Sequence, residues 1–286
     1  WQALPARTGP PGSKAFPDAG VYVMRHNHDY MLISCGPNGQ NGVGGHAHND
    51  KLSFELCIGG EEVIVDPGTY VYTPYPEWRN RFRSTAYHNT VVVDGQEQNP
   101  VEEDELFRLP DLTRCRCLVW ETGPEKDVFV GEHYGYLRLD PPVVHRRKVE
   151  FCKKERTWVI TDYLYEPEAM PAVCHSRRRG DGLHFLEFNL HLAPGMRVVL
   201  AERKTAWQRQ PEFAKEAPLA CLTFHLLQDN CLVALVQALG WEESVLGTYW
   251  YSLEYGRREE ATVLSLRAQG SHDEGLWLII KGEFGC

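Results

Sequence analysis

The stretch "GGHAHND" at positions 44–50 holds three proton-active side chains at alternating positions. In an extended chain, side chains two residues apart point to the same face, so His46, His48 and Asp50 would share one. Imidazoles bind divalent metals and transfer protons near neutral pH, and a carboxylate can assist either role. Two further polar residues stand at predicted strand ends, Asp66 at the end of "EEVIVD" and His88 at the start of "HNTVVVDG".

A predicted hairpin brings part of this set together. The segment "LSFELCI" turns at Gly59-Gly60 and returns as "EEVIVD", so residues 52–58 pair with residues 61–67. Asp66 then lies one or two positions from His48. His88 joins them if its strand lies alongside in the same sheet. Two imidazoles and a carboxylate are a complete set of protein ligands for Zn²⁺ with a fourth position open, while the alternative is solvated histidines and an ordinary turn aspartate.

In most of the remaining chain, apolar residues recur at every second position, as in β-strands. The segments "VVHRRKVEF" and "TWVITDYLY" are predicted to pair, and "ATVLSLRAQG" and "GLWLIIKGEF" form a further predicted hairpin. The best helix candidate is the short segment "PEFAKEAPLA" at 211–220. Many strands with frequent turn signals predict an all-β fold, a large antiparallel β-sandwich.

The N-terminal segment differs in composition from the remainder. Residues 1–20 are rich in Pro and Gly and are predicted to be a linker or a wrap-around arm from an upstream domain. The β-sandwich domain is predicted over 21–286. Because the 286-residue chain begins with Trp1 and shows no signal peptide, we expect it to be a piece of a longer polypeptide.

Composition argues against several classes of partner. A formal net charge of -9 argues against nucleic acid, and no apolar run is long enough to predict a membrane span. The nine cysteines include no C-x-x-C pair, which argues against a zinc ribbon or a dense disulfide framework. Basic residues cluster in three places: Arg79/Arg81/Arg83, Arg146/Arg147/Lys148 and Arg177/Arg178/Arg179.

The motif-bearing region resembles a known family. "GGHAHNDKLSFELCIGGEEVIVDPGTYVY" followed by "RNRFRSTAYHNTVVVDGQEQ" is similar to the C-terminal β-sandwich domain of the heparinase II/III-like polysaccharide lyases. That group includes heparin, heparan sulfate and oligoalginate lyases. The H-x-H-x-D, D-P-G-x-Y and R-S-T-x-x-H-N-T blocks in this order are together specific. The resemblance is concentrated in residues 41–98 and continues more weakly through most of the chain.

The resemblance implies an architecture and a metal. Family members join an N-terminal α/α toroid, absent from this chain, to the sandwich, and they cleave uronic-acid glycosides by β-elimination in the cleft between the two. A structural zinc ion is held at the positions that match His48, Asp66 and His88. The first histidine of H-x-H faces the cleft, which matches His46.

β-Elimination indicates what the remaining residues would do. It removes the C5 proton of a uronate, stabilises the charge that develops on the carboxylate, and protonates the leaving oxygen. His46 is predicted to be the base or the carboxylate partner. A tyrosine shares the acid and base work in the family, and Tyr72 and Tyr75 are the candidates here.

The first basic cluster gains a predicted role from its position. By their spacing the three arginines before His88 would share a strand face. Guanidinium groups bind carboxylates and sulfates through paired hydrogen bonds. We therefore expect Arg83, the arginine nearest the site, to bind substrate.

Three functions compete at this point. The first is an eliminative lyase acting on an anionic polysaccharide, periplasmic or secreted, whose upstream toroid supplies an asparagine or histidine and a tyrosine. The second is a non-catalytic carbohydrate-binding or structural sandwich that kept the metal site. The third, a metal-dependent hydrolase, needs an open zinc position and a carboxylate base. We expect the chain alone to bind zinc and to show little or no lyase turnover.

Overall fold

The computed structural model describes residues 12–167, 183–204, 220–270 and 272–285. In chain order its strands are β1 (Lys14–Phe16), β2 (Val21–His26), β3 (Asp29–Ser34), β4 (Phe54–Ile58), β5 (Glu61–Ile64), β6 (Val91–Val93), β7 (Arg116–Thr122), β8 (Lys126–His133), β9 (Val144–Cys152), β10 (Thr157–Tyr165), β11 (His184–His191), β12 (Arg197–Lys204), β13 (Cys221–Gln228), β14 (Cys231–Leu239), β15 (Glu243–Glu254), β16 (Arg257–Gly270) and β17 (His272–Gly285). Two short α-helices occur within these ranges, α1 (Gly39–Gly42) and α2 (Pro76–Phe82).

The strands form three antiparallel sheets, which confirms the predicted β-sandwich. Their orders are β1-β2-β3-β4-β5, β12-β13-β14-β17-β10-β9-β8-β7 and β15-β16-β11-β6. The hairpin at Gly59-Gly60 is confirmed as β4–β5, with Leu56 opposite Ile64 and a register shift next to that pair. The first sheet starts inside the segment predicted as an arm, because β1 pairs with β2.

Two sequence-based pairings have different outcomes. The predicted pair β9–β10 is confirmed over its whole length. The predicted hairpin of the last two strands is wrong, because β16 pairs with β11 and β15 whereas β17 pairs with β10 and β14. Period-two alternation reports which face of a strand is buried, and it does not identify the partner strand.

The arginine-rich segment before His88 was predicted as a strand, and this is wrong. It forms α2, where Pro76 occupies the first turn with its φ already suited to a helix. Arg79 and Phe82, three residues apart, are the buried residues of this helix. Arg83 caps the helix end, with its backbone N–H donating to the carbonyl of Arg79.

Aromatic side chains connect the sheets through one core. The rings of Phe54 in β4 and Phe188 in β11 have centroids 6.3 Å apart, which joins the first and third sheets. Tyr22 in β2 contacts Phe129 in β8 at 5.2 Å and so joins the first and second sheets. Removing each such ring from water stabilises the fold by roughly 1.5–3 kcal/mol.

The first and third sheets meet next to the segments that carry Asp66 and His88. Ile64 forms an isolated bridge with Leu192, and the backbone N–H of Val65 donates to the carbonyl of His191 at 2.9 Å. His88 precedes β6, so it reaches Asp66 across this junction. The condition stated for His88, that its strand lies in the same sheet as β4 and β5, is not met, because β6 belongs to the third sheet.

Some predictions fall outside the described ranges. They concern residues 211–219 of the helix candidate and the basic cluster Arg177–Arg179. Among the described helices, none has the length and apolar character needed to cross a membrane.

Candidate functional site

The H-x-H motif lies on a loop. Residues 44–53 lie between α1 and β4 and contain turns, so the prediction of a strand face for His46, His48 and Asp50 is wrong. His46 is exposed, and His48 is half-buried. Between them and the next strand, the backbone N–H of Asn49 donates to the carbonyl of Arg83 at 2.9 Å. The loop therefore leaves His46 open to solvent and turns His48 towards the protein.

Buried amides hold this loop in place. The side-chain amide of Asn49 donates to the carbonyl of Asn99 at 2.9 Å and to Glu97 Oε2 at 2.8 Å. Its Oδ1 accepts hydrogen bonds from the backbone and side-chain N–H groups of Asn99, both at 3.0 Å. Gln98 accepts from the backbone N–H of Lys51 and donates to its carbonyl, at 2.9 and 3.0 Å. Segment 97–99 thus fixes the backbone between His48 and β4.

The three predicted metal ligands form one cluster. Asp66 Oδ2 lies 2.7 Å from His88 Nδ1, and Asp66 Oδ1 accepts a hydrogen bond from the backbone N–H of Gly68 at 2.8 Å. The rings of His48 and His88 have centroids 5.2 Å apart. Residues 18 to 40 positions apart in the sequence are therefore neighbours here. The β4–β5 turn predicted the return of Asp66 towards His48, while the approach of His88 had been left open.

Burial and mutual charge decide the protonation of this cluster. Burial, with the neighbouring His88 and Arg79 cations, lowers the pKa of His48 to about 3, so its imidazole is neutral at physiological pH. Burial alone would raise the pKa of Asp66, but His88 outweighs it, and the net shift is downward. The pKa of His88 is raised because the Asp66 carboxylate outweighs burial.

The three side chains are of the types that bind zinc, but in the structure one of them, His48, is hydrogen-bonded to Arg79 instead. His48 is neutral, Asp66 is ionised, and Nε2 of His88 is buried without a hydrogen-bond partner. However, His48 Nε2 lies 2.7 Å from a guanidinium nitrogen of Arg79. Within the described ranges, no group of three or more His, Cys, Asp or Glu surrounds a common centre suited to a metal. Zinc would require Arg79 to release His48, and it stays a prediction.

His46 lies against aromatic rings. Its ring meets Tyr72 edge-on with centroids 5.5 Å apart, and Phe107 lies at 6.0 Å. The guanidinium carbon of Arg79 is 5.2 Å from the centre of the Tyr72 ring. Tyr75 is 53% exposed at the start of α2, and in the described part of the chain it makes no ring contact with His46. The geometry therefore favours Tyr72 over Tyr75 as the partner of His46.

Arg83 occupies a different place from the one its predicted role requires. It is fully buried, and its guanidinium donates to four backbone carbonyls of a single loop at 3.0–3.4 Å, those of Glu102, Glu105, Leu106 and Arg108. Its Nε donates to Asn80 Oδ1 at 2.9 Å. These contacts are a correction to the sequence-based expectation, because they point away from substrate contact and towards positioning of the 102–108 loop.

An open cleft of about 450 Å³ lies beside the H-x-H loop. His46, His48, Asp50, Lys51 and Thr69 contribute to its lining. The Lys51 ammonium lies 2.8 Å from Asp50 Oδ1, and Asp50 Oδ2 accepts a hydrogen bond from the Ser34 hydroxyl at 3.1 Å. Asp50 is therefore committed to the protein, and His46 is the exposed proton-active group at this edge.

A buried ion pair supports the site from behind, and sequence reasoning missed it. Arg147 binds Asp162 through two parallel hydrogen bonds of 2.8 and 2.9 Å. Its remaining nitrogen donates to the carbonyls of Leu52 at 2.6 Å and Asn89 at 2.8 Å. Since Arg147 and Asp162 face each other in the β9–β10 register, pairing "HRRK" with "ITDY" was the signal that could have found them.

Comparison with known proteins agrees with this fold and these motifs. The family described as heparinase II/III-like, C-terminal, matches residues 8–280, and the chain belongs to it. A heparin-sulfate lyase of Pedobacter heparinus is 33% identical over 155 residues, which are 52% of this chain and 20% of the relative. A heparin-sulfate lyase of Bacteroides stercoris is 28% identical over 159 residues, 53% of this chain and 21% of that protein.

Solved structures support the fold. The heparan sulfate lyase HepC of Pedobacter heparinus aligns with a TM-score of 0.68 at 20% identity, covering 98% of this chain and 37% of that one. The alignments cover about a fifth of the length of these curated relatives.

We predict that Asp162→Asn destabilises the protein, because it leaves the Arg147 cation buried and unpaired. The expected loss at pH 7 is about 3–5 kcal/mol in the free energy of unfolding. Arg147 and His145 outweigh burial and hold the pKa of Asp162 at about 2, below the value near 3.9 expected for an unfolded chain. The ionised Asp162 therefore stabilises the fold above pH 4, and this stabilisation is lost as the pH falls towards 2. Between these pH values, the free energy of unfolding should fall by roughly 2–3 kcal/mol less in the variant than in the wild type.

Denaturant unfolding at pH 6, 4 and 2.5 checks this prediction. The exposed Asp104→Asn is the control, expected to stay within about 0.5 kcal/mol of the wild type. Equal losses in both variants would contradict the role assigned to the ion pair.

Proposed function

We propose that the chain is the C-terminal domain of a polysaccharide lyase that cleaves uronic-acid-containing anionic polysaccharide by β-elimination. One observation carries the proposal: an exposed imidazole, His46, stands at an open cleft in edge contact with Tyr72, beside a buried histidine–carboxylate cluster. The names of the two curated relatives, both heparin-sulfate lyases, favour a glycosaminoglycan as substrate.

The proposed reaction needs one base and one acid at the cleft. The C5–H bond of the uronate breaks as His46 takes the proton. The electron pair forms the C4–C5 double bond, and the C4–O bond breaks. Tyr72, whose ring is 5.5 Å from that of His46, is the candidate to protonate the leaving oxygen.

A structural zinc ion is part of the proposal. His48, Asp66 and His88 would hold it, and when bound it would neutralise charge and fix the loop that presents His46. Asn89 already anchors this region, donating to the carbonyls of Phe54 and Val65 at 2.8 and 2.9 Å. These hydrogen bonds support the proposal, because they hold the backbone next to His88 and Asp66, two of the proposed ligands.

The whole enzyme requires more than this chain. We propose that an upstream α/α toroid closes the cleft and supplies further active-site groups. An acidic glycan is met outside the cytoplasm, so the proposed location is periplasmic or secreted. Cell fractionation with detection of the full-length polypeptide tests the location.

Substitution of the proposed base tests the chemistry. In the polypeptide that carries this chain and its upstream domain, heparan sulfate should yield products that absorb at the ultraviolet band of unsaturated uronate. We expect His46→Ala to lower kcat by about 10²–10⁴-fold, the usual contribution of a positioned acid–base group. Tyr72→Phe should reduce kcat far more than the matched Tyr75→Phe.

Two results would contradict the proposal. Cleavage products without a double bond would indicate a hydrolase. If the protein forms no product from heparin, heparan sulfate or alginate, a non-catalytic carbohydrate-binding sandwich is favoured.

Metal analysis tests the zinc site independently of activity. We expect the purified chain, incubated with Zn²⁺ and desalted, to retain about one equivalent, and His48→Ala to lose it, since a three-ligand site rarely keeps its ion without one ligand. His28→Ala, at an exposed turn between β2 and β3, is the control and should retain the metal. Wild-type protein without zinc, or equal zinc in all three proteins, would refute the site.

A further inference from the structure

Three aromatic side chains from separate segments form a continuous row beside His46. Tyr72 lies between Phe107 and Tyr255, with ring centroids 5.8 and 6.0 Å away and both pairs of planes inclined by 25°. Tyr72 follows β5, Phe107 lies on the 102–108 loop, and Tyr255 lies in the turn between β15 and β16. We call Phe107, Tyr72 and Tyr255 the ring row.

The ring row is both exposed and held in place. Phe107 is 44% exposed and Tyr255 is 61% exposed. The Phe107 loop is fixed by the hydrogen bonds from Arg83, and the Tyr255 turn is fixed by the Gly256 backbone N–H, which donates to the carbonyl of Tyr70 at 2.8 Å. Clustered aromatic rings held open to solvent indicate a binding surface rather than a core.

The row runs outward from the proposed base. Phe107 and Tyr72 both contact the His46 ring, with centroids 6.0 and 5.5 Å away. Tyr255 contacts Tyr72, and among the described residues its ring contacts neither His46 nor Phe107, so it is the end of the row farther from His46. A polymer whose reacting unit lies at His46 would therefore pass its next units over these rings.

The charges around the row argue for stacking rather than ion pairing. Glu102, Glu103, Asp104 and Glu105 are exposed on the same loop as Phe107. Arg108 and Arg257, on the segments that carry Phe107 and Tyr255, form ion pairs with Glu105 and Glu254. Arg79, which lies over the Tyr72 ring, is fully buried. An anionic chain would gain little from these charges. The apolar C–H face of a pyranose ring, however, can pack on an aromatic face and leave water.

We propose that the ring row is a sugar-stacking subsite, which binds pyranose units of the polysaccharide beyond the unit at His46. Tyr255 is its outermost residue. It determines how much more tightly long oligosaccharides bind than short ones. The choice of polysaccharide rests on the proposed function, whereas the arrangement of the three rings is observed directly in the structure. Because stacking is not Coulombic, the contribution of Tyr255 should not decline as salt increases.

Tyr255→Ala tests the subsite without touching His46. In the polypeptide with its upstream domain, we expect KM for a heparan sulfate octasaccharide to rise about 3- to 10-fold with kcat unchanged, the range for loss of one aromatic stacking contact. KM for a tetrasaccharide should change less, and Tyr255→Phe should restore the octasaccharide value. Leu253→Ala, at an 81% exposed site close to the same turn, is the matched control with unchanged kinetics.

A second pair of variants separates this proposal from the proposed function. Octasaccharide binding by calorimetry, at 50 and 300 mM salt, compares His46→Ala with His46→Ala/Tyr255→Ala, where turnover is removed. Weaker binding in the double variant supports the subsite even if no unsaturated product forms with the wild type. Unchanged KM and unchanged binding would overturn the subsite while the lyase activity stands. If instead Tyr255→Ala lowers only the thermal midpoint of the two-domain polypeptide, the row packs against the upstream domain and the proposal fails.

Discussion

The site depends on one buried ion pair, that of Arg147 and Asp162. Burying both charges costs several kcal/mol of desolvation, and a bidentate geometry offsets that cost only when the remaining N–H groups also find acceptors. Here they do, because the carbonyls of Leu52 and Asn89 accept from the same guanidinium. Leu52 lies near the end of the H-x-H loop, and Asn89 directly follows His88. One side chain of the second sheet therefore ties together the backbone segments that carry the candidate histidines.

Helix α2 and the residue that caps it connect further parts of the site. Arg79 and Arg83 are four residues apart, and both are buried. Arg79 reaches His48 and lies over Tyr72, whereas Arg83 holds the 102–108 loop that carries Phe107. The end of one short helix therefore contacts His48, the proposed acid Tyr72 and the loop that carries Phe107.

The sequence predicted the features that local chemistry determines. Alternation and the Gly59-Gly60 turn predicted the hairpin, and that turn brings Asp66 back beside the H-x-H loop. The motif order identified the family. Non-local partners were not predictable in the same way: the i, i+2 spacing of arginines imitates a strand, while the burial of Arg79 and Phe82 at i, i+3 belongs to a helix. The acceptors of Arg83 are backbone carbonyls, which leave no signature in side-chain types. The partners of β16 and β17 were also not predictable, because these two strands follow each other in the sequence but belong to different sheets.

Native-state hydrogen exchange on Arg147→Gln tests the central claim most directly, since it reports local opening segment by segment. Under conditions where the variant remains folded, we expect faster exchange in peptides covering residues 49–54 and 88–91 and unchanged protection in β13 and β14. Unchanged protection at 49–54 and 88–91, or an equal loss everywhere, would contradict the claim that this ion pair holds the functional segments in place.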